Sequence, residues 1–230
     1  MNTKTLIRLA GLAAMVAGIL YIAIQPLHPL DVLSSVTTPR WANVHYLSIV
    51  MDFLALLGIT GLYARQVEKS GWLGLAGYLL FSLFWAISMA LHFAEAFILP
   101  LLATAAPKVV EGWMGLITGH ATEINLGALS TISMLNGFVG YLLGGLLFGI
   151  ATLRAGILPR WAAGLLAVGI VLPLLGVVLQ VQHPYDRLFA VPVGLALAWL
   201  GYALWSERRA PAVALVPDQA SLQLRPITVE

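Results

Sequence analysis

The stretch from Asn43 to Ala64, NVHYLSIVMDFLALLGITGLYA, decides what kind of protein this is. It holds one formal charge, Asp52. Coiled as a helix at roughly 1.5 Å per residue, it crosses a hydrocarbon core of about 30 Å. Working outward, apolar stretches of the same kind run from Leu9 to about Gln25, from Gly71 to beyond Phe93, from Ile124 or later to Leu153, from Trp161 to about Gln180 and from Leu188 to Ser206. Six spans are therefore predicted. Continuous apolar runs favour helices over barrel strands, which alternate over about ten residues. The predicted fold class is all-α, a polytopic membrane protein built as a six-transmembrane-helix bundle.

Composition agrees. The 230 residues are 60% hydrophobic and 10% charged, against about 25% charged in an ordinary soluble domain. With a mean hydropathy of +0.92, a globule in water has too few polar groups to cover its surface, so the bilayer is the expected solvent. A disordered chain and a nucleic-acid-binding module are excluded by the same balance. The absence of cysteine removes disulfides, haem thioether attachment, thiolate zinc sites and iron–sulfur clusters. Residues 1–209 read as one transmembrane domain. Residues 210–230, with Pro211, Pro217, Asp218 and Pro226, read as a polar cytoplasmic tail that is partly disordered.

Charge placement orients the chain. Lys4, Arg8, Arg65, Lys69, Arg154, Arg160, Arg208 and Arg209 fall on one side of the predicted spans, and Arg40, Lys108 and Arg187 on the other. The positive-inside rule places both termini in the cytoplasm of a bacterial-type inner membrane. Lys4 and Arg8 before an apolar run resemble a signal peptide, but no small-x-small cleavage site follows, and the segment reads as a retained first helix. On the outer side, Lys108 to Ile117 (KVVEGWMGLI) is predicted as a short interfacial helix with Trp113 at headgroup level.

With this orientation, His28, His45, His92, His120 and His183 all lie toward the outer face, and so do Asp31, Asp52, Glu95, Glu111, Glu123 and Asp186. Ionisable groups within a membrane are expensive and face a bundle interior or a watery cavity, which makes them functional candidates. Helical spacing groups Tyr21, Gln25 and His28 on one face; His45, Ser48 and Asp52 on a second; and Ser88, His92 and Glu95 on a third. His120 and Glu123, with Ser133 and Asn136 deeper, and Gln180 with His183 complete the set. The expected geometry is a polar pocket in the outer half of the bundle.

Several chemistries fit such a pocket. Imidazole and carboxylate without thiolate suit zinc, copper, iron or manganese, with His45, His92 and Glu95 as candidate ligands and Asp52, His120 and His183 as alternates. Two histidines from the set His45, His92, His120 and His183 on different helices would clamp a haem iron. Asp52 and Glu95 are the candidate catalytic acid–base groups of a metal-free enzyme. The structural alternative is interhelical hydrogen bonding that fixes helix register. No His-Glu-x-x-His motif is present.

Three segments bear a family likeness: Gly18-Ile19-Leu20-Tyr21, the glycine-rich fourth span ending in Ala151-Thr152-Leu153-Arg154, and Gly156-Ile157-Leu158-Pro159-Arg160-Trp161. Together they resemble an uncharacterised bacterial domain-of-unknown-function family of six- to seven-helix inner-membrane proteins. The resemblance implies the topology and no site residue. The leading expectation is a small membrane protein whose outer pocket binds a lipid-like molecule or a metal-containing cofactor. An integral-membrane enzyme acting on a lipid or isoprenoid substrate, and an accessory subunit docking a larger membrane-protein partner, remain open beside it.

Overall fold

The computed structural model describes residues 2–118, 123–182 and 185–207. His120, His183 and the tail from residue 208 lie outside the described residues, so the expectations placed on them stay untouched. All regular structure among the described residues is helical. In chain order it comprises α1 (Thr3–Leu27), α2 (Leu33–Val36), α3 (Pro39–Phe97), α4 (Leu99–Ala105), α5 (Pro107–Thr118) and α6 (Ala128–Leu135). A π-helical segment (Asn136–Gly144) continues α6 into α7 (Gly145–Ala155), followed by α8 (Arg160–Val178), a 3-10 turn (Tyr185–Ala190) and α9 (Val191–Ser206).

Five of these helical units, counting Ala128–Ala155 and Tyr185–Ser206 as continuous, are long and apolar enough to cross a membrane. The second and third predicted spans are not separated by a loop. They form the single 59-residue α3, broken in backbone conformation only at Gly71, whose φ of 58° and ψ of −159° reverse the chain. A side chain is costly at positive φ, so glycine is what permits so abrupt a turn. The two arms then lie antiparallel: Tyr63 stacks on Tyr78 at 4.5 Å between ring centres, and the Thr60 hydroxyl lies 3.2 Å from that of Tyr78. The short helix predicted over residues 108–117 is present as α5, and the fourth span begins at Ala128, within the expected start of Ile124 or later.

Sequence accounts for the helix ends. Asn2 Oδ1 accepts from the Thr5 backbone N–H at 2.9 Å, and the Thr38 hydroxyl accepts from that of Trp41 at 3.2 Å, with Pro39 in the first turn. Arg40 donates to the Leu27 carbonyl at 2.7 Å and the Pro26 carbonyl at 3.2 Å, satisfying acceptors at the end of α1. Arg8 does the same for the Trp205 carbonyl at 3.0 Å. Gly156, left-handed at φ 63°, caps α7, and Pro159 opens α8.

The helices close into a ring in which α1 packs between α9 and the first arm of α3, the second arm packs on the π segment and α7, and α8 joins α7 to α9. Small residues set the spacing. A Cβ added at Gly18 would strike the backbone of Gly194 and Ala198, and one at Gly77 the backbone of Phe148. Where lipid tails are as apolar as leucine, such close backbone approach is a main source of helix–helix attraction. Ile59, Leu62, Phe81, Trp85, Phe148 and Leu200 fill the interior, and Leu57, Leu83, Val168 and Leu195 face outward. Gly18→Leu is expected to lower the melting temperature in mild detergent, at a cost of about 1–3 kcal/mol of overpacking. Gly164→Leu, placed where a Cβ meets open space, should melt with the wild type. Equal melting of both variants would show that the close contact is dispensable.

Candidate functional site

The two arms of α3 bring the predicted polar faces together. On the first arm, Trp41, His45, Ser48 and Asp52 lie along one side, and on the second, Ser88, His92 and Glu95. Antiparallel register pairs His45 with Glu95, Nε2 to Oε2 at 3.2 Å, and Asp52 with His92, Oδ2 to Nδ1 at 2.6 Å. His45, Asp52 and Glu95 are all buried.

Hydrogen-bond chemistry fixes the proton on His45. Its Nδ1 lies 2.7 Å from the Trp41 carbonyl oxygen, which only accepts, so Nδ1 carries a hydrogen. The contact from Nε2 to Glu95 therefore holds one further proton, shared as imidazolium with carboxylate or as imidazole with carboxylic acid. Glu95 is gripped from two more directions: the Trp113 indole donates to Oε1 at 3.0 Å, and the Trp41 indole donates to the Glu95 backbone carbonyl at 2.8 Å. The Trp41 and His45 rings lie 4.2 Å apart. Expected only as a headgroup anchor, Trp113 is brought in by α5 as a third partner of the buried carboxylate. Trp41 and Trp113 are the site residues that sequence reasoning missed, and the four-residue spacing of Trp41 and His45 was the available signal.

His92 differs from its neighbours. Nδ1 faces Asp52, Nε2 makes no hydrogen bond among the described residues, and the side chain is 27% exposed while that of Asp52 is fully buried. Asp52 Oδ1 has no hydrogen-bond partner among the described residues. One turn away, Ser88 accepts from the Asn136 amide at 3.1 Å, and Asn136 Oδ1 is likewise buried without a partner. Beside this edge the bundle opens. A Cβ at Gly140 or Gly144 would run into Phe84 or Leu80, whereas at Gly137, nearer the histidine end, it would meet nothing within 4 Å. Above Gly137, α6 has no buried residue and packs chiefly on its own π-helical continuation. His92, Ser88 and Asn136 thus stand where α6 parts from the second arm.

The outermost predicted residues form a separate cluster. His28 donates from Nδ1 to the Pro29 carbonyl at 2.8 Å, and Arg187 donates to Asp31 at 2.7 Å. The His28 ring sits 5.2 Å from that of His45. Burial, reinforced by the Arg187 charge, pushes His28 down to about 3, so its 3.8 Å approach to Asp31 joins a neutral imidazole to a carboxylate that Arg187 already neutralises. A cleft of about 430 Å³ at this end is lined by Asp31, Lys108, Glu111 and Glu123 and does not reach His45, Asp52, His92 or Glu95.

Of the predicted metal ligands, His45 and Glu95 pair with each other, while His92 is bonded to Asp52 instead. Among the described residues, no group of three or more His, Asp or Glu side chains is disposed to hold a metal ion. Both His45 nitrogens are engaged, which leaves it no lone pair for a metal or a haem iron without repacking. No family model matches the chain, and no curated protein or solved structure matches it.

Two outcomes follow from this geometry. Glu95→Ala strands the donors of His45 and Trp113 and is expected to lower thermal stability by about 1–3 kcal/mol. Trp113→Phe, which removes one donor, should cost less, and the reverse order would contradict the central place of Glu95. His28, depressed in the fold, takes up a proton first in the unfolded chain, whose histidines titrate near 6.5. Stability is therefore complete above that pH and declines as pH falls toward 3. His28→Asn should flatten this decline in melts recorded from pH 7 downward. The difference between variant and wild type separates His28 from Asp31, whose carboxyl is raised by burial against the opposing Arg187 charge.

Proposed function

We propose that this chain binds the polar end of an amphipathic, lipid-like molecule at the edge formed by His92, Ser88 and Asn136, with entry sideways from the membrane between α6 and the second arm of α3. The observation behind this reading is the His92 ring: Asp52 holds one nitrogen, and the other is left accessible and unbonded. A carboxylate on Nδ1 orients the ring and makes Nε2 a good acceptor for a ligand hydroxyl or ammonium. His45 and Glu95, locked together behind it, would keep the site rigid. The unpaired oxygens of Asp52 and Asn136 offer further acceptors, since buried polar atoms without partners are rare and mark places where a ligand or water belongs.

The proposal includes a topology. Counting the arms of α3 separately, the chain would cross six times, with both termini in the cytoplasm of a bacterial-type inner membrane. Lys4, Arg8, Arg65, Lys69, Arg154 and Arg160 at one end support that orientation. Membership of the bacterial inner-membrane family noted above belongs to the same proposal, supported by Gly156 and Pro159 at the α7–α8 corner.

The dyad favours a second reading. An imidazole backed by a carboxylate is the arrangement of a general base, and an integral-membrane enzyme would use Nε2 of His92 to take a proton from a lipid or isoprenoid substrate.

The test is mass spectrometry of solvent extracts from the full chain purified in mild detergent, wild type beside His92→Gln. One amphiphile is expected to be enriched with the wild type and depleted at least about tenfold with the variant, the scale of a lost charge-assisted hydrogen bond. Equal recovery from both would overturn the proposal. So would a variant that only melts earlier, with no bound species to lose, because that is the behaviour of interhelical glue.

A further inference from the structure

At the end of the molecule opposite the histidines, the Gly71 turn and the end of α7 enclose a pocket of about 270 Å³ lined by Lys69, Ser70, Gly71, Trp72, Ala151 and Arg154. Its two cations, like Lys4 and Arg160 at this end, are without a protein partner among the described residues, and of these four only Lys69 and Arg154 line the pocket. Arg65 is bonded to Glu207 at 2.9 Å, and Arg8 to the Trp205 carbonyl, but Lys69 and Arg154 make no ion pair or hydrogen bond among the described residues. Glu68, beside Lys69, is exposed and pairs with neither. The space beside Gly71 is open, since a Cβ there would meet nothing within 4 Å.

Two further features fix the depth and direction of this pocket. Trp72 and Trp161 are 85% and 83% exposed at the same end, as indoles are when they sit at the membrane–water boundary. Ile150 and Leu146 lie one and two turns below Arg154 on the same face of α7. They open a groove of about 680 Å³ between α7 and α8, walled by Val168, Val171 and Leu175 and lined by apolar side chains alone. From Arg154 to Leu146 is about 12 Å along the helix.

We infer that this is a binding site for an anionic phospholipid, the phosphate held between Lys69 and Arg154 and an acyl chain laid in the groove below. Unpaired cations at headgroup depth select negative charge, and basic pockets between helices are the recognised form of such sites. The apolar groove one turn deeper selects a lipid over a free anion. The site lies at the opposite end from His92 and does not depend on what His92 binds.

The probe is phosphatidylglycerol against phosphatidylcholine of matched chains, titrated onto the full chain in detergent and read by native mass spectrometry. The wild type is expected to prefer phosphatidylglycerol by ~10-fold, two charges contributing. The preference should vanish in Lys69→Gln/Arg154→Gln, persist in Lys69→Arg/Arg154→Lys, and weaken in Ile150→Trp, which fills the groove with both cations kept. It should also shrink as salt is raised, which tests the wild type even if a variant fails to fold. Equal binding of the two lipids, a preference that survives the double glutamine variant or one indifferent to salt would overturn the inference. Displacement of the lipid by millimolar inorganic phosphate, with Ile150→Trp silent, would overturn it in favour of a headgroup-only anion site.

Discussion

Glu95 is the point on which the polar interior depends. A carboxylate buried among helices is tolerable only if its oxygens are met by donors, and here one oxygen faces His45 and the other Trp113. These partners come from different elements: the first arm of α3 and the peripheral α5. The Glu95 backbone carbonyl is held as well, by Trp41 from the first turn of α3. One residue thus ties the open end of the hairpin to the helix that covers it. Val36, Leu99, Val110 and Met114 form a small apolar cluster around Trp41 at the same end, which keeps water from competing for these bonds.

The same arrangement divides the labour between the two imidazoles. His45 spends both nitrogens on the protein, one on a carbonyl and one on a carboxylate, so it has nothing left to offer a ligand. His92 spends one. A ring with one nitrogen on a buried carboxylate and the other free is oriented, electron-rich and accessible. The His45 ring, held by Glu95 and lying 6.0 Å from that of His92 between centres, limits the positions His92 can adopt. Of these two imidazoles, only His92 therefore has a nitrogen free to meet a ligand.

Much of this was legible in the sequence. The helical period groups His45, Ser48 and Asp52, and equally Ser88, His92 and Glu95, before any fold is known, because residues three and four apart share a face. Which member of one face meets which member of the other was not legible. That pairing depends on the register of the hairpin; the polar run at residues 65–70 separates the two spans in the sequence, but it does not say at which residue the chain reverses, and the structure reverses it at Gly71. Once the turn is placed, residues at comparable distances from it meet, and Thr60 with Tyr78, Asp52 with His92 and His45 with Glu95 follow in order. Trp113 escaped for a related reason: a tryptophan in a short amphipathic helix reads as an interfacial anchor, and its second role requires knowing that α5 lies over the end of α3.

The parting of α6 from the second arm has its explanation in backbone contact. Gly140 and Gly144 hold the π segment against Phe84 and Leu80, so the two backbones cannot separate there. A π-helical stretch is wider than an α-helix and shifts the side chains beyond it around the axis, a device that recurs at functional sites. Asn136, at the start of the segment, is thereby turned inward to Ser88, while α6 beyond it is released from the bundle. A continuous α-helix in this position would carry its contact face onward past Gly137 and close over His92. The glycines that hold the lower half of this helix and the π turn that redirects the upper half thus act together, and they leave the unbonded Nε2 of His92 beside the opening between α6 and the second arm.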